Sequence, residues 1–435
     1  MKYLAGVFFI FATSNSEARL FKEWSLHLES KIESTLYPEE FGTNTNKNLN
    51  RLELVPIFDL KFSDGWKVFI KPTFVANPDN NSSEERTFFD PAEAYLRYKS
   101  DLFTLQAGNN IYSWGVTDGY NPLDVVNSKQ YFDPLHSKKL GSPSVSITQS
   151  WDTWDTQAVY IPWNPGATLP GTESRWLPRE IFVPESLNND QVLLLPPSLR
   201  YQYGSRDDLN EARRNNYAVR ISRQGDHFDF NLSGYEGVAS FPLIQPQVTG
   251  NVIAVAPKTV IQVDPDVVLN TKNYKIRQGG LSLVNHTWDV LFKYATSYTQ
   301  SMGDDKNLPG WNHENVVALE KTFNLGSSGV LIAVLQHSFI FSEKQNESNL
   351  SVTEIFRKAW MLGGKLSWHE VWNFSFLGLY DQQRYSTYQE YSLGRRFFDT
   401  WSLTVSANFI AGTTETPLGV YSKNDSYSLA LSRSF

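Results

Sequence analysis

The chain closes with SYSLALSRSF, residues 426–435. In an extended strand successive side chains point to opposite faces. Tyr427, Leu429, Leu431 and Phe435 therefore share one face, and Ser428, Ala430, Ser432 and Ser434 the other. The product is a ribbon with one greasy side and one small, polar side. Two folds use such a ribbon: the edge of a soluble sandwich, and a wall whose apolar side meets lipid. The rest of the chain decides between them.

The same rhythm starts the chain's first long segment. From Trp24 to Leu36 the even positions read Trp, Leu, Leu, Ser, Ile, Ser and Leu, while Glu23, His27, Glu29, Lys31 and Glu33 are odd. Leu52, Leu54, Phe58, Leu60 and Phe62 then alternate with Arg51, Glu53, Val55, Ile57, Asp59 and Lys61. Ser63-Asp64-Gly65 is strong turn chemistry. The chain returns as Trp66, Val68, Ile70, Pro72 and Phe74 against Lys67, Phe69, Lys71 and Thr73. Such runs are longer than the usual soluble strand of about 5–6 residues. They suit a tilted strand with lipid on one side and water on the other. Pairing Phe62 with Trp66 sets Pro56 opposite Pro72. Proline donates nothing to a ladder, so a bulge or gap is predicted there.

Composition agrees. Aromatic residues make up 14% of the 435 residues, and there is no cysteine. Lys2, the apolar run of residues 3–12 and the small residues through Ala18 read as a secretory signal peptide over residues 1–18, with a barrel over 19–435. Cleavage after Ala18 fits Ser16 and Ala18; Ala12 and Ser14 offer a second choice. An exported chain without cysteine has no disulfides to hold it. No later run reaches about 18 consecutive apolar residues, so a membrane-spanning form must be a closed barrel. The mean hydropathy of -0.37 fits a wall that shows lipid only every second residue. A net charge of -7 without a basic run argues against nucleic acid.

Connections alternate in length. Short turns are expected near residues 63–65, 100–101, 152–153, 224–226, 285–287, 324–328, 369–371 and 398–400. Long polar loops are expected near 37–48, 77–87, 112–142, 164–214, 238–272, 299–313, 342–353 and 411–425, with a shorter one near 382–387. The Val- and Ile-rich stretch 252–263 reads as a further strand or a loop hairpin. The fold class is all-β: a transmembrane antiparallel β-barrel of about 18 strands (16–18), with long extracellular loops and one loop folded inward. Trp66, Trp151, Trp154, Trp288, Trp368, Trp372 and Trp401 lie beside short turns and are expected to form an aromatic girdle.

One stretch breaks the alternation: NNIYSWGVTDGYNPLDVVN, residues 109–127. With residues 93–108 it resembles a family of proteobacterial porin-like outer-membrane proteins of mostly unassigned function. The shared pattern is Gly108, Trp114, Gly115 and Asp118, then Asn121, Pro122, Asp124 and Asn127. Pro162-Trp163-Asn164-Pro165 and Leu169-Pro170-Gly171 extend the likeness, which covers roughly a quarter of the chain by the motif spacing. Asn109 and Asn110 stand where that family usually has Arg or Gln after the strand's Gly. The final ten residues likewise resemble the C-terminal insertion signal of outer-membrane barrels, with Arg433 in a usually apolar place. That likeness implies recognition by the barrel-assembly machinery through Tyr427, Leu429, Leu431 and Phe435. The resemblance implies a porin-like fold and names no substrate.

A long Gly/Pro/Asn-rich loop in a wide barrel either caps the mouth or enters the lumen and sets the aperture. Residues 112–142 are expected inside, with Trp114, Gly115, Asp118, Asn121, Pro122, Asp124 and Asn127 as constriction-loop residues. The loop 164–214, with Arg175, Arg179, Arg200 and Arg206 beside Glu173, Glu180, Asp207 and Asp208, is the expected second cover. Charge on a lipid face costs about 2–4 kcal/mol at mid-membrane. Arg51, Lys71, Glu93, Arg97, Arg220, Arg277 and Arg395 are therefore assigned to the lumen, where facing charges set ion preference. The seven His are scattered without a nucleophile or metal spacing, so neither an enzyme, a metal nor another cofactor is expected. The function expected is passage of small polar or amphipathic solutes across a Gram-negative outer membrane. The expected surroundings are outer-membrane lipid and lipopolysaccharide. Alternatives are a barrel exporting hydrophobic molecules, since Phe69, Tyr95 and Tyr235 also reach inside, and a plugged structural or surface-binding barrel.

Overall fold

The computed structural model describes residues 21–40, 46–62, 65–178, 186–188, 190–204, 209–344 and 352–435. The signal-peptide residues 1–18, the turn residues Ser63 and Asp64, and the loop residues Arg179, Glu180, Arg206, Asp207 and Asp208 lie outside them.

Eighteen antiparallel strands form one sheet that closes on itself. In chain order the first six are Phe21–Leu36, Asn48–Phe62, Trp66–Ala76, Thr87–Lys99, Phe103–Asn110 and Ser142–Trp151. The next six are Trp154–Trp163, Arg214–Arg223, Phe228–Val238, Lys275–Thr287, Val290–Met302 and Trp311–Leu325. The last six are Gly329–Ser342, Lys358–Trp368, Trp372–Asp381, Ser386–Phe397, Trp401–Ala411 and Ser426–Ser434. The eighteenth strand closes on the first, with Tyr427 opposite Leu36 and Ser434 opposite Glu29. Closure leaves each wall strand paired on both sides, as a lipid-facing backbone requires.

Tight turns lie at one end and long loops at the other. Trp288-Asp289, His369-Glu370 and Phe398-Asp399 all take positive φ at both residues. That is the geometry of two-residue hairpin turns whose twist matches their strands. The turn expected at 285–287 falls later, because Thr287 still pairs with Val290. The outer face carries Leu26, Ile32, Phe74, Leu96, Leu232, Leu362 and Val405, all exposed. Trp66, Trp151, Trp288, Trp368 and Trp372 are exposed at the tight-turn end. Arginines on the neighbouring strands lie over three rings there: Arg223 on Trp154 at 5.9 Å, Arg395 on Trp372 at 4.9 Å and Arg433 on Trp401 at 4.8 Å. Arg433 also covers Phe435 at 3.8 Å, so its cation sits between two aromatic faces.

The proline gap is present. Pairing of the second and third strands runs Leu54 with Phe74 and resumes at Phe58 with Ile70, lapsing around Pro56 and Pro72. The fourth strand bulges beside it: Ala92 and Glu93 both face Lys71, and Ala92 has φ 44°. Asp90 caps the bulge by accepting from the Ala92 N–H at 3.0 Å, and it also accepts from the Gly141 N–H at 3.4 Å.

The Val- and Ile-rich stretch lies in a hairpin of the long-loop end, Leu243–Ala254 with Thr259–Lys272, and adds nothing to the wall. Gln191–Leu194 and Arg200–Tyr203 join that hairpin in parallel. Leu177, Leu193, Tyr201, Val263, Val267 and Leu269 form its core.

Candidate functional site: the lumen and its inward loop

The loop after the fifth strand folds into the barrel. Asn127 ties both of its ends. It accepts from the Tyr112 N–H at 2.7 Å and donates to the Asn110 and Leu140 carbonyls at 2.8 and 2.9 Å. Gly115 has φ 94°, and a Cβ there would strike the Asn121 side chain. Asn121 uses that space: it donates to the Trp114 carbonyl at 2.7 Å and accepts from the Leu123 N–H at 3.1 Å. Trp114 is buried, donates to Gln157 at 3.2 Å and lies under the Arg220 guanidinium at 5.8 Å.

The loop then meets the far wall. The Pro122 carbonyl accepts from Gln278 at 3.2 Å, and Leu123 fills the space over Gly280. Asp118 pairs with Lys293 at 2.7 Å, and Lys293 also reaches Glu320 at 2.6 Å. The Tyr120 hydroxyl donates to Glu314 at 2.5 Å, while its ring stacks on Phe356 at 4.5 Å. Asp124 holds the returning limb through Lys139 at 2.5 Å and Lys129 at 3.2 Å. All seven residues expected in the constriction loop thus lie in one folded wad, packed against strands seven to fourteen.

The opposite side of the lumen stays polar. A cavity of about 430 Å³ runs along the last three strands and the first two. Charged groups lie along one side of it. Arg51 pairs with Glu53 at 2.8 Å, Lys138 of the loop reaches Glu53 at 3.2 Å, and Lys31 pairs with Glu33 at 3.0 Å. Short hydroxyls line the other: Ser392, Thr404, Ser406 and Ser428. A further cavity of about 320 Å³ is also lined by Lys31 and Glu53 and lies nearer the tight-turn end, beside Ser402 and Ser432.

The loop's tip is latched to this wall. His136 meets Asp133 at 2.8 Å, Glu390 at 3.2 Å and the Tyr388 hydroxyl at 3.0 Å. Partial burial opposes its charge, but the two carboxylates outweigh this and push the imidazole pKa up to about 10. Lys138 is pulled the other way, by burial and by nearby Arg51, against the pull of Glu53. At the mouth, buried Arg175 lies on the Tyr37 ring at 3.6 Å and bonds Asn424 at 2.9 Å and the Lys423 carbonyl at 3.0 Å. The loop 164–178 is thereby pinned across the opening as a second cover.

The charges assigned to the lumen divide. Arg51, Lys71 and Glu93 border one cavity of about 270 Å³. Arg97 faces in, since its neighbour Leu96 is exposed on the outer face, and Arg220 faces in over Trp114. Arg277 does not face in. Gln278 beside it bonds the inward loop, so Arg277 points outward, where it meets Glu236 at 2.7 Å. Arg395 also points outward, over Trp372. Lys275 shares the face of Arg277. The physical reason is depth. All three sit near strand ends, where charge on a lipid face costs only about 0–1 kcal/mol and long side chains reach head groups or rings.

Lys31, Glu33, His136 and Lys138 border the passage but were not among the site residues picked from sequence, whereas Glu390, also on its border, reads from the sequence as an inward charge. Lys31 and Glu33 carried a signal, as odd-face charges flanking Ile32. His136 and Glu390 lie 254 positions apart, and nothing local links them. Among the described residues no group of His, Asp and Glu is placed to hold a metal ion.

No family model and no curated protein matches the chain. Solved structures match its fold. Pseudomonas aeruginosa OccK11 (OpdR) superposes with a TM-score of 0.52 over 96% of this chain and 98% of that one, at 8% identity. Acinetobacter baumannii OccAB3 gives 0.52 over 95% and 99%, at 8% identity. Pseudomonas aeruginosa OpdK, solved with vanillate, gives 0.51 over 96% and 99%, at 9% identity. The likeness is one of architecture: this chain has the fold of outer-membrane porin barrels.

Proposed function

We propose that this barrel is a porin-like channel of a Gram-negative outer membrane that passes small polar or amphipathic solutes. The observation that carries the reading is the polar passage left beside the inward loop, with Lys31, Arg51 and Lys138 set against Glu33 and Glu53 on one side and hydroxyls on the other. Facing charges of both signs orient polar solutes and set ion preference. On this reading the long loops lie outside the cell and the tight turns in the periplasm, after export by a signal peptide over residues 1–18. The exposed side chains of Tyr427, Leu429 and Phe435, with Leu431, support recognition of the last strand by the assembly machinery. We also read the run from Trp114 to Asn127 as the signature of the porin-like family that it resembles, because these residues hold the loop inside.

The purified barrel in planar bilayers is expected to give discrete ohmic steps. The apolar packing of the loop favours one rival, a plugged barrel. Silence from folded, heat-modifiable protein would end the channel reading in favour of that rival or of a barrel exporting hydrophobic molecules.

A further inference from the structure

We propose that the outer wall holds one anionic lipid, with its phosphate on Arg277 and Lys275 and an acyl chain in a groove over Gly234 and Gly279. This rests on the reading above, which sets the long-loop end at the outer leaflet.

The groove follows from the register. Val219, Gly234, Gly279 and Tyr298 lie side by side on four adjacent strands. They face outward, because Gln278 bonds the inward loop and Tyr235 packs in the lumen core. Without side chains on the two glycines the wall is dented, leaving a cavity of about 930 Å³. A Cβ on Gly279 would meet nothing within 4 Å. One row nearer the tight turns lie Leu232 and Leu281, which continue the apolar floor.

One row nearer the long loops the chemistry changes. Tyr160, Tyr217, Glu236, Arg277 and Gln300 follow one another across five strands. A belt of amphipathic and charged side chains marks the level of lipid head groups. The groove therefore begins at acyl depth, directly under that belt. The Arg277 Nε donates to Glu236 at 2.7 Å, and the side chain is 65% exposed. Its two terminal nitrogens make no hydrogen bond among the described residues. That leaves the planar fork that takes two phosphate oxygens. Lys275, two residues nearer the rim on the same face, has no acidic partner among the described residues. The two cations outnumber the one carboxylate beside them, Glu236, and a phosphate complements the excess positive charge.

The test is native mass spectrometry of the folded barrel in mild detergent, with diphosphoryl lipid A or phosphatidylcholine added. The wild type is expected to keep one lipid A in preference to phosphatidylcholine. Lys275→Gln and Arg277→Gln should each weaken retention about fivefold. Gly279→Leu should weaken it by filling the groove while leaving both cations in place. Equal retention by the wild type and all three variants overturns the proposal. So does loss of a chain–chain oligomer, in place of a lipid adduct, in Gly279→Leu. Should Gly279→Leu fail to fold, the two cation variants decide alone. Conductance of the same samples separates the two readings. A barrel that conducts but keeps no lipid A overturns only the lipid site. A silent barrel overturns the channel reading, with the lipid adducts read independently.

Discussion

The two halves of the lumen are built on opposite principles. Beside strands seven to fourteen, Trp114 and Val126 of the loop pack with Ile161, Ala218 and Tyr235 as a buried core. Beside the last three strands and the first two, the wall offers hydroxyls and paired charges to water. One half is closed like the inside of a soluble domain; the other is left as a path. On the channel reading, the aperture is set by how far a folded core extends across the barrel, and selectivity by the few side chains at the core's margin.

The largest test of that division is Trp114→Ala. Removing a buried Trp costs about 3–5 kcal/mol. The loop should loosen, and single-channel conductance should rise with a lower midpoint for heat modification. Unchanged conductance would mean that the closed half does not limit flow. Next is Glu53→Gln, which leaves Arg51 and Lys138 without their carboxylate. Reversal potentials in a salt gradient should move toward anions, and Lys138→Glu should move them toward cations. If neither shifts, the path runs elsewhere.

A smaller effect is expected at the latch. The His136 pKa is raised from 6.5 to about 10 in the folded chain. A raised pKa adds stability that is full below the unfolded value and is lost as pH rises through the folded one. The latch should therefore weaken between about pH 6.5 and 10, seen as growing current noise. His136→Ala should show that noise at neutral pH; quiet traces from it would dismiss the latch. The smallest effect is expected on the outer face. Arg395→Ala should leave reversal potentials where they are, whereas Arg97→Glu, inside the barrel, should shift them toward cations. Equal shifts would erase the inside–outside distinction between them.

The wall was legible because lipid enforces a two-residue alternation along every strand. The strand number followed from it together with the alternating connection lengths, and the proline gap from the pairing across the turn at 63–65. The same parity held the correction for two arginines. Arg277 shares its face with Leu281 and Leu283, and Arg395 with Tyr391 and Leu393. Assigning these two to the lumen overrode that signal where depth makes charge cheap. The turn at Trp288-Asp289 was hidden for a different reason: neither residue advertises positive φ as glycine does. In the lumen, Gly115, Asn121 and Asn127 announced an irregular loop. Its path depends on Glu314, on Gln336, which donates to the Tyr120 carbonyl at 3.1 Å, and on Glu390, all distant in sequence, so the passage and its latch had no local signature.

The lapse around Pro56 and Pro72 has a consequence for biogenesis. The neighbouring bulge is completed by Asp90, and Asp90 also receives the amide of Gly141, where the inward loop rejoins the wall. Asp90 is therefore one of the points at which plug and cylinder are stitched together. A nascent barrel whose loop has not yet entered would carry an unfinished patch facing the bilayer. Maturation is then expected to run inward before it seals, with late loop entry appearing as a transiently leaky, protease-sensitive intermediate.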